Sequence, residues 1–247
     1  WKEFAANNYS DFSRLNYGVE FNWQNFRGRN ELLKLKIRKG FKEHYLLGYE
    51  VPYFNKNKTI GFNTNLQFFR RKKTHISTEK NKLNYFESDT FNSIDYDLNT
   101  EIIYRKNLHQ KHKLKFTYLQ STISDSIAII NPNYLGNRMS SSSVYVLKYI
   151  FEYENRDYIT YPLNGSSLNF LAKKYFSEKT NAKHFEFASK IDKYIEAYKR
   201  LYIGSSFKAK YSTEGYQPYF IQKALGYNDY VRGYEYYVID GEDYYLS

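Results

Sequence analysis

The sequence predicts an all-β protein, an antiparallel up-and-down β-barrel that crosses a membrane. Three observations predict it: apolar and polar side chains alternate strictly, the alternating segments have the length of a barrel strand, and the long connections all fall at one end.

The alternation starts early. Tyr17, Val19, Phe21 and Trp23 interleave with Asn16, Gly18, Glu20, Asn22 and Gln24. Leu33, Leu35 and Ile37 interleave with Lys34, Lys36 and Arg38; Ile60, Phe62, Leu66 and Phe68 with Gly61, Asn63, Asn65 and Gln67. The same period recurs at Leu114, Phe116 and Tyr118 and at Phe185 and Phe187. A two-residue period gives each strand one apolar and one polar face. On this basis strands are expected at 14–26, 30–41, 43–54, 58–72, 94–107, 111–124, 142–156, 165–176, 182–195 and 197–212. Another begins near 236, and a weaker one lies in 2–12. Residues 191–201 (IDKYIEAYKRL) mimic a short helix, but strand–turn–strand fits the pattern better.

The connections sort into two sets. Short ones lie around 27–29, 55–57, 108–110, 157–164 and 196–198, and long ones at 73–93, 125–141 and 213–235. In a meander, alternate connections share an end, so the three long ones sit together. Short turns at one end and long loops at the other mark outer-membrane barrels.

Composition agrees. The 247 residues include 29 Tyr, 19 Phe and 2 Trp, which suit strands with one apolar and one wet side. Mean hydropathy is −0.75, and the longest apolar run, as at Ile127–Ile130, falls far short of the roughly 20 residues a spanning helix needs. That excludes a helical membrane protein. It does not exclude a barrel, whose strands need only about 10 alternating residues. Cysteine is absent, so disulfides and thiolate metal sites are excluded. The chain begins at Trp1, which suggests a processed or excised piece. No solenoid repeat or Pro/Gly-rich linker divides it, so 1–247 reads as one domain, a partial barrel.

Local chemistry is sparse. His44, His75, His109, His112 and His184 are scattered, without a clear Ser partner or ligand spacing, and no GxSxG, HExxH or phosphate-cradling loop occurs. No catalytic residue, metal or cofactor is therefore expected, and the protein is not expected to be an enzyme. The net charge is +11. The basic run Arg70-Arg71-Lys72-Lys73 carries no nucleic-acid motif, and nucleic acid is not an expected partner. At the mouth of an outside loop it would face lipopolysaccharide phosphates, or simply be solvated.

Four motifs in order resemble the BamA-type assembly-factor family, the bacterial surface antigen barrels. Asn25-Phe26-Arg27-Gly28-Arg29 resembles the family's glycine turn after the second strand, with Asn30 or Arg29 in place of its second glycine. Val51-Pro52-Tyr53-Phe54 resembles its xPYF strand end. Asn155-Arg156-Asp157 with Tyr161-Pro162-Leu163-Asn164-Gly165 resembles a later turn, and Val231-Arg232-Gly233-Tyr234 its sixth-loop motif. Asn25, Gly28, Pro52, Tyr53, Phe54, Arg156, Asp157, Pro162 and Gly165 count as turn-shaping family markers.

The resemblance implies a barrel of sixteen strands, of which about 11–12 are present here, preceded by POTRA domains. It implies a bacterial outer-membrane location and a role in folding and inserting other outer-membrane proteins through a lateral seam. The gate side would be 2–24. The lumen plug would be 213–235, anchored by Arg232, whose guanidinium can clasp a lumenal carboxylate in a bidentate pair. Implied partners are outer-membrane lipid, lipopolysaccharide, unfolded barrel clients and accessory lipoproteins. A two-partner secretion barrel and the barrel tail of a patatin-like lipase remain alternatives within the superfamily. A soluble β-rich carbohydrate-binding protein is the alternative outside it.

Overall fold

Alternating side chains and closely spaced turns produce one continuous meander. The computed structural model describes residues 11–177 and 183–222, together with 238, 241 and 243–246. The strands are β1 (Asn16–Phe26), β2 (Glu31–Gly40), β3 (Lys42–Val51), β4 (Ile60–Arg71), β5 (Lys73–Glu79), β6 (Lys82–Glu87), β7 (Ser93–Arg105), β8 (Gln110–Ile123), β9 (Ser141–Glu154), β10 (Gly165–Phe176), β11 (Phe185–Tyr198), β12 (Leu201–Ser212) and β13 (Tyr244–Leu246). A 3-10 turn at Phe12–Arg14 and one short helix, α1 (Asp125–Ile130), complete the described elements. The weak strand expected at 2–12 falls almost entirely outside the described residues.

Eleven strands form a single antiparallel sheet in the order β1-β2-β3-β4-β7-β8-β9-β10-β11-β12-β13. Only β5 and β6 stand apart, as a two-stranded hairpin between β4 and β7. This is the expected up-and-down topology. Among the described residues β1 and β13 each have one neighbour, so the sheet is not closed.

Register lines the faces up across the sheet. Phe21, Leu35, Leu47, Leu66, Leu98, Tyr118 and Tyr145 are successive cross-strand partners, one apolar row seven strands wide. Phe21 is 50% exposed and Leu66 53%, so the row points away from the rest of the chain. One residue along, Asn22, Lys34, Gly48, Asn65, Asn99 and Thr117 form a polar row on the opposite face. The apolar residues are thus not packed in a dry core between layers.

Connections segregate as expected. One end carries 27–30, 52–59, 106–109, 155–164 and 199–200; the other carries the three long connections 72–92, 124–140 and 213–243, along with shorter ones at Phe41 and between β10 and β11. Three boundaries differ from expectation. β3 stops at Val51 and not at Phe54, because Pro52 has no N–H for the ladder. The last tight turn lies at Lys199–Arg200 rather than 196–198, since Tyr198 still pairs with Leu201 and Arg200 takes φ 63°. The expected loop 73–93 contains the β5–β6 hairpin, turned by Lys80 and Asn81, both at positive φ.

The apolar cores lie at the loop end. Ile76 of the hairpin, Ile123, Ile127, Ala128, Tyr134, Leu135 and Tyr219 form one cluster, flanked by Phe86 and Phe220. A second joins Val144 and Val146 of β9 to Tyr175 of β10, covered by Phe220 and Ile221.

Candidate functional site

The polar face of the sheet curves around a cavity of about 760 Å³, lined from β4 through β13 and by Phe220 and Ile221. Its wall is a network of cross-strand pairs. In a neighbouring cavity toward the loop end, Asp95 accepts from Ser121 (2.6 Å) and pairs with Arg71. Thr117 donates to Asn99 (2.8 Å), and the Asn99 amide donates to Asp97. Glu186 pairs with Lys173, lies 3.7 Å from Lys210 Nζ and accepts from the Tyr175 hydroxyl at 3.3 Å. Away from the cavity, Lys34–Glu50 (2.5 Å) and Lys113–Glu152 (2.5 Å) continue the pattern. Alternation alone places these groups on one face, and register then sets partners side by side.

The loop after β12 enters this space. Tyr219 N donates to Asn133 O (3.0 Å) and Phe220 N to Tyr134 O (3.2 Å). The Tyr219 and Thr78 hydroxyls meet at 3.0 Å. Farther along, Val238 N donates to Asn81 O at the hairpin tip (2.9 Å). The motif Val231-Arg232-Gly233-Tyr234 lies outside the described residues, but the chain on both sides of it is fixed on the same cap.

Several residues marked by the sequence build the tight turns. Asn25, at φ 56°, accepts from Gly28 N through its carbonyl (2.9 Å) and from Asn30 N through its side chain (2.8 Å). Asn30 sits at φ 58°, so it and not Arg29 fills the glycine-like position; Asn tolerates that region because its amide bonds locally. Pro52 O accepts from Arg105 (2.8 Å), whose guanidinium lies 5.3 Å from the Tyr53 ring centre. Phe54 is 77% exposed beside that turn. Arg156 makes a two-pronged bond to Glu154 (2.7 and 2.5 Å). Asp157 accepts from Tyr158 N (2.8 Å) and Leu163 N (3.0 Å), bracing the turn that holds Pro162. Desolvation pushes the Asp157 carboxyl up, but the backbone N–H groups of Asn164, Leu163 and Tyr158 outweigh it and hold it below its usual value. Gly165 ends the turn at φ 110°, where a Cβ would stand 2.1 Å from Asn155 O.

The basic run splits between faces. Arg70 bonds Glu43 (2.8 and 2.5 Å) and lies over Phe91, whereas Arg71 turns inward to Asp95. Lys72 lies over the Phe91 ring (5.9 Å) and Lys73 is 3.8 Å from Glu87. The histidines are dispersed: His44 stacks on Phe69 and His184 on Tyr175. Among the described residues no group of three or more His, Cys, Asp or Glu could hold a metal.

Two features escaped sequence reasoning. The Arg27–Glu31 pair (2.9 and 3.0 Å), with Tyr49 on the same guanidinium at 2.6 Å, spans three elements that register alone brings together. The inward Val144 and Val146 had a signal: Val144–Leu147 is apolar at every position, which marks a strand covered on both faces.

No protein-family model matches this sequence, and no curated protein does. Among solved structures, the crystal structure of BamA from Haemophilus ducreyi lacking POTRA domains 1-3 is similar, with a TM-score of 0.65 and 17% sequence identity. The match covers 91% of this chain and 44% of that one, so this chain spans less than half of that structure's length. An open antiparallel meander with its apolar face outward, its charged face around a cavity and its last loop turned inward thus has the fold of a BamA-type barrel.

Proposed function

We propose that this chain is part of an outer-membrane barrel that helps other barrels fold and insert. The observation that carries the reading is the orientation of the two faces. Apolar rows face outward around a charged interior, and only lipid outside would make that arrangement favourable. A soluble carbohydrate-binding sheet would expose charges and hide aromatics, the reverse of what Phe21, Leu35 and Leu66 do.

The mechanism needs no chemical step. An unpaired edge strand offers a row of N–H and C=O groups, each costing several kcal/mol, roughly, if left bare in lipid. A client strand satisfies them by adding to the edge, which is β-augmentation. The gate side is 2–24, whose described part is carried by β1, paired on one side only among the described residues. The plug is the loop 213–235, and Arg232 is its anchor. Phe220 and Ile221, packed on the inner wall, support that placement by fixing the loop's first part inside. Val231, Gly233 and Tyr234 complete the anchoring motif. At the loop end, lipopolysaccharide phosphate would fall mainly to Lys72, because Arg70 and Arg71 already hold carboxylates and Lys73 approaches Glu87. Accessory lipoproteins and POTRA domains belong to the same proposal.

The test is reconstitution. The full-length protein in vesicles should speed folding of a urea-unfolded eight-stranded client above the rate in empty vesicles, and Arg232→Ala should slow it. A native protein no faster than empty vesicles overturns the reading.

A further inference from the structure

We propose that the inner wall holds a soluble phosphate-class oxyanion between Lys115, Lys148 and Lys173. The proposal is independent of the insertase reading. Lys115 pairs with Lys148 in the β8–β9 register and Lys148 with Lys173 in the β9–β10 register, so three lysines form one cross-strand row lining the same cavity. Like charges directly opposite one another on a sheet destabilise it. Lys173 is held by Glu186, which Lys210 also approaches at 3.7 Å. Among the described residues no carboxylate lies within ion-pair distance of Lys115 or Lys148. Six lysines and two carboxylates, Asp97 and Glu186, line the cavity these groups face.

A tetrahedral oxyanion answers each of these features. It accepts from several ammonium groups at once and turns two repulsive cross-strand pairs into attractive ones. The cavity, about 760 Å³, accommodates it with its remaining water. The next residues along β9, Leu147 and Tyr149, are exposed on the opposite face, so the lysines face the interior and the source is soluble phosphate rather than a lipid headgroup.

The test uses the full chain folded in non-ionic detergent, with urea midpoints read from tryptophan fluorescence at constant ionic strength. Replacing chloride by inorganic phosphate should raise the native midpoint in a saturable way. Lys148→Gln should weaken the apparent phosphate affinity at least tenfold. Lys148→Glu should abolish the response and raise the midpoint in chloride alone, because the new carboxylate sits between two lysines. If Lys148→Gln does not fold, Lys115→Gln serves with the same readout. A native protein indifferent to phosphate, or variants that respond as the native does, overturns the proposal. In a parallel arm the micelles carry phosphatidylglycerol. No Lys148-dependent change is expected there, and stabilisation by that lipid but not by phosphate would replace the soluble anion with a headgroup and overturn the proposal as stated.

Discussion

Replacing Leu66 with arginine tests whether the outer face lies in lipid. The outward residues of β4 run from Ile60 to Phe68 before Arg70 ends the apolar stretch. Eight steps at about 3.3 Å, tilted by about 40°, rise roughly 20 Å along the membrane normal. That approaches the apolar band of about 25 Å in such barrels. Thr64 marks its centre, and Leu66 lies two residues away, roughly 5 Å off the midplane. A lipid-facing Arg costs about 2–4 kcal/mol at the midplane and less toward the interfaces, so Leu66→Arg should cost about 2–3 kcal/mol. The folded fraction relative to unfolded then drops roughly 30- to 150-fold. The control is Asn65→Arg, one residue along on the inner face beside the space left by Gly48, where the expected cost is within about 1 kcal/mol. Both are measured by urea titration in lipid vesicles, with heat-modifiable gel migration reporting the folded barrel. If Leu66→Arg costs no more than Asn65→Arg, the outer face does not contact lipid and the membrane reading fails.

Other expectations follow from single contacts. Gly165→Ala forces a Cβ against Asn155 O at φ 110° and should cost about 1–3 kcal/mol or more, read as a lower urea midpoint and a smaller yield of heat-modifiable protein. Arg105→Ala removes the bond to Pro52 O and the stacking on Tyr53, for about 1–2 kcal/mol by the same titration, whereas exposed Phe54→Ala should change little. His184 is buried on Tyr175, and burial, opposed by Glu186, holds its imidazole below the usual value. A folded pKa below an unfolded value near 6.5 means that its contribution is fully present above about pH 6.5 and is lost as pH falls from there toward the folded value. Urea midpoints between pH 8 and 5 should therefore decline less steeply for His184→Phe, which keeps the ring stack, than for the native chain. Equal slopes would show that the ring is not held neutral.

What could be read from the sequence was whatever depends on neighbours along the chain. The two-residue period fixed which side of β1, β2, β4 and β8 is apolar, and Gly28 and Gly165 marked turns, whereas the expected strand 43–54 ran through Pro52 although β3 stops at Val51. The period also favoured strand–turn–strand over helix at 191–201, where Ile191 and Ile195 share one face of a strand, although the turn falls at Lys199–Arg200 and not at the expected 196–198. What could not be read depends on register between distant segments. Nothing in Arg105 announces that Pro52 O will lie 2.8 Å away, because that distance exists only once β4 separates β3 from β7. The β5–β6 hairpin was hidden for another reason. Its strands are short and polar, and Ile76 is buried against loop residues rather than in the apolar row of the sheet. The apolar run Val144–Leu147 signalled that β9 is covered on its inner face, but not by what, because the covering side chains, Phe220 and Ile221, come more than seventy residues later.

The two faces together constrain the environment more tightly than either does alone. Among the described residues thirteen apolar side chains are buried, and most of them cap the loop end. Forty large ones are exposed. A soluble protein scatters a few such residues but keeps contiguous apolar patches small. Here they run in register across the sheet, so neither face of the meander is a core: one is apolar and bare, the other charged and wet. Folding would then draw its hydrophobic free energy from contact with something outside the chain that is apolar along the whole outer face of the sheet. A partner protein would cover one patch and leave the rest in water. Lipid would cover every strand at once, and it would leave the interior as the place where Lys173, Glu186 and their neighbours stay hydrated.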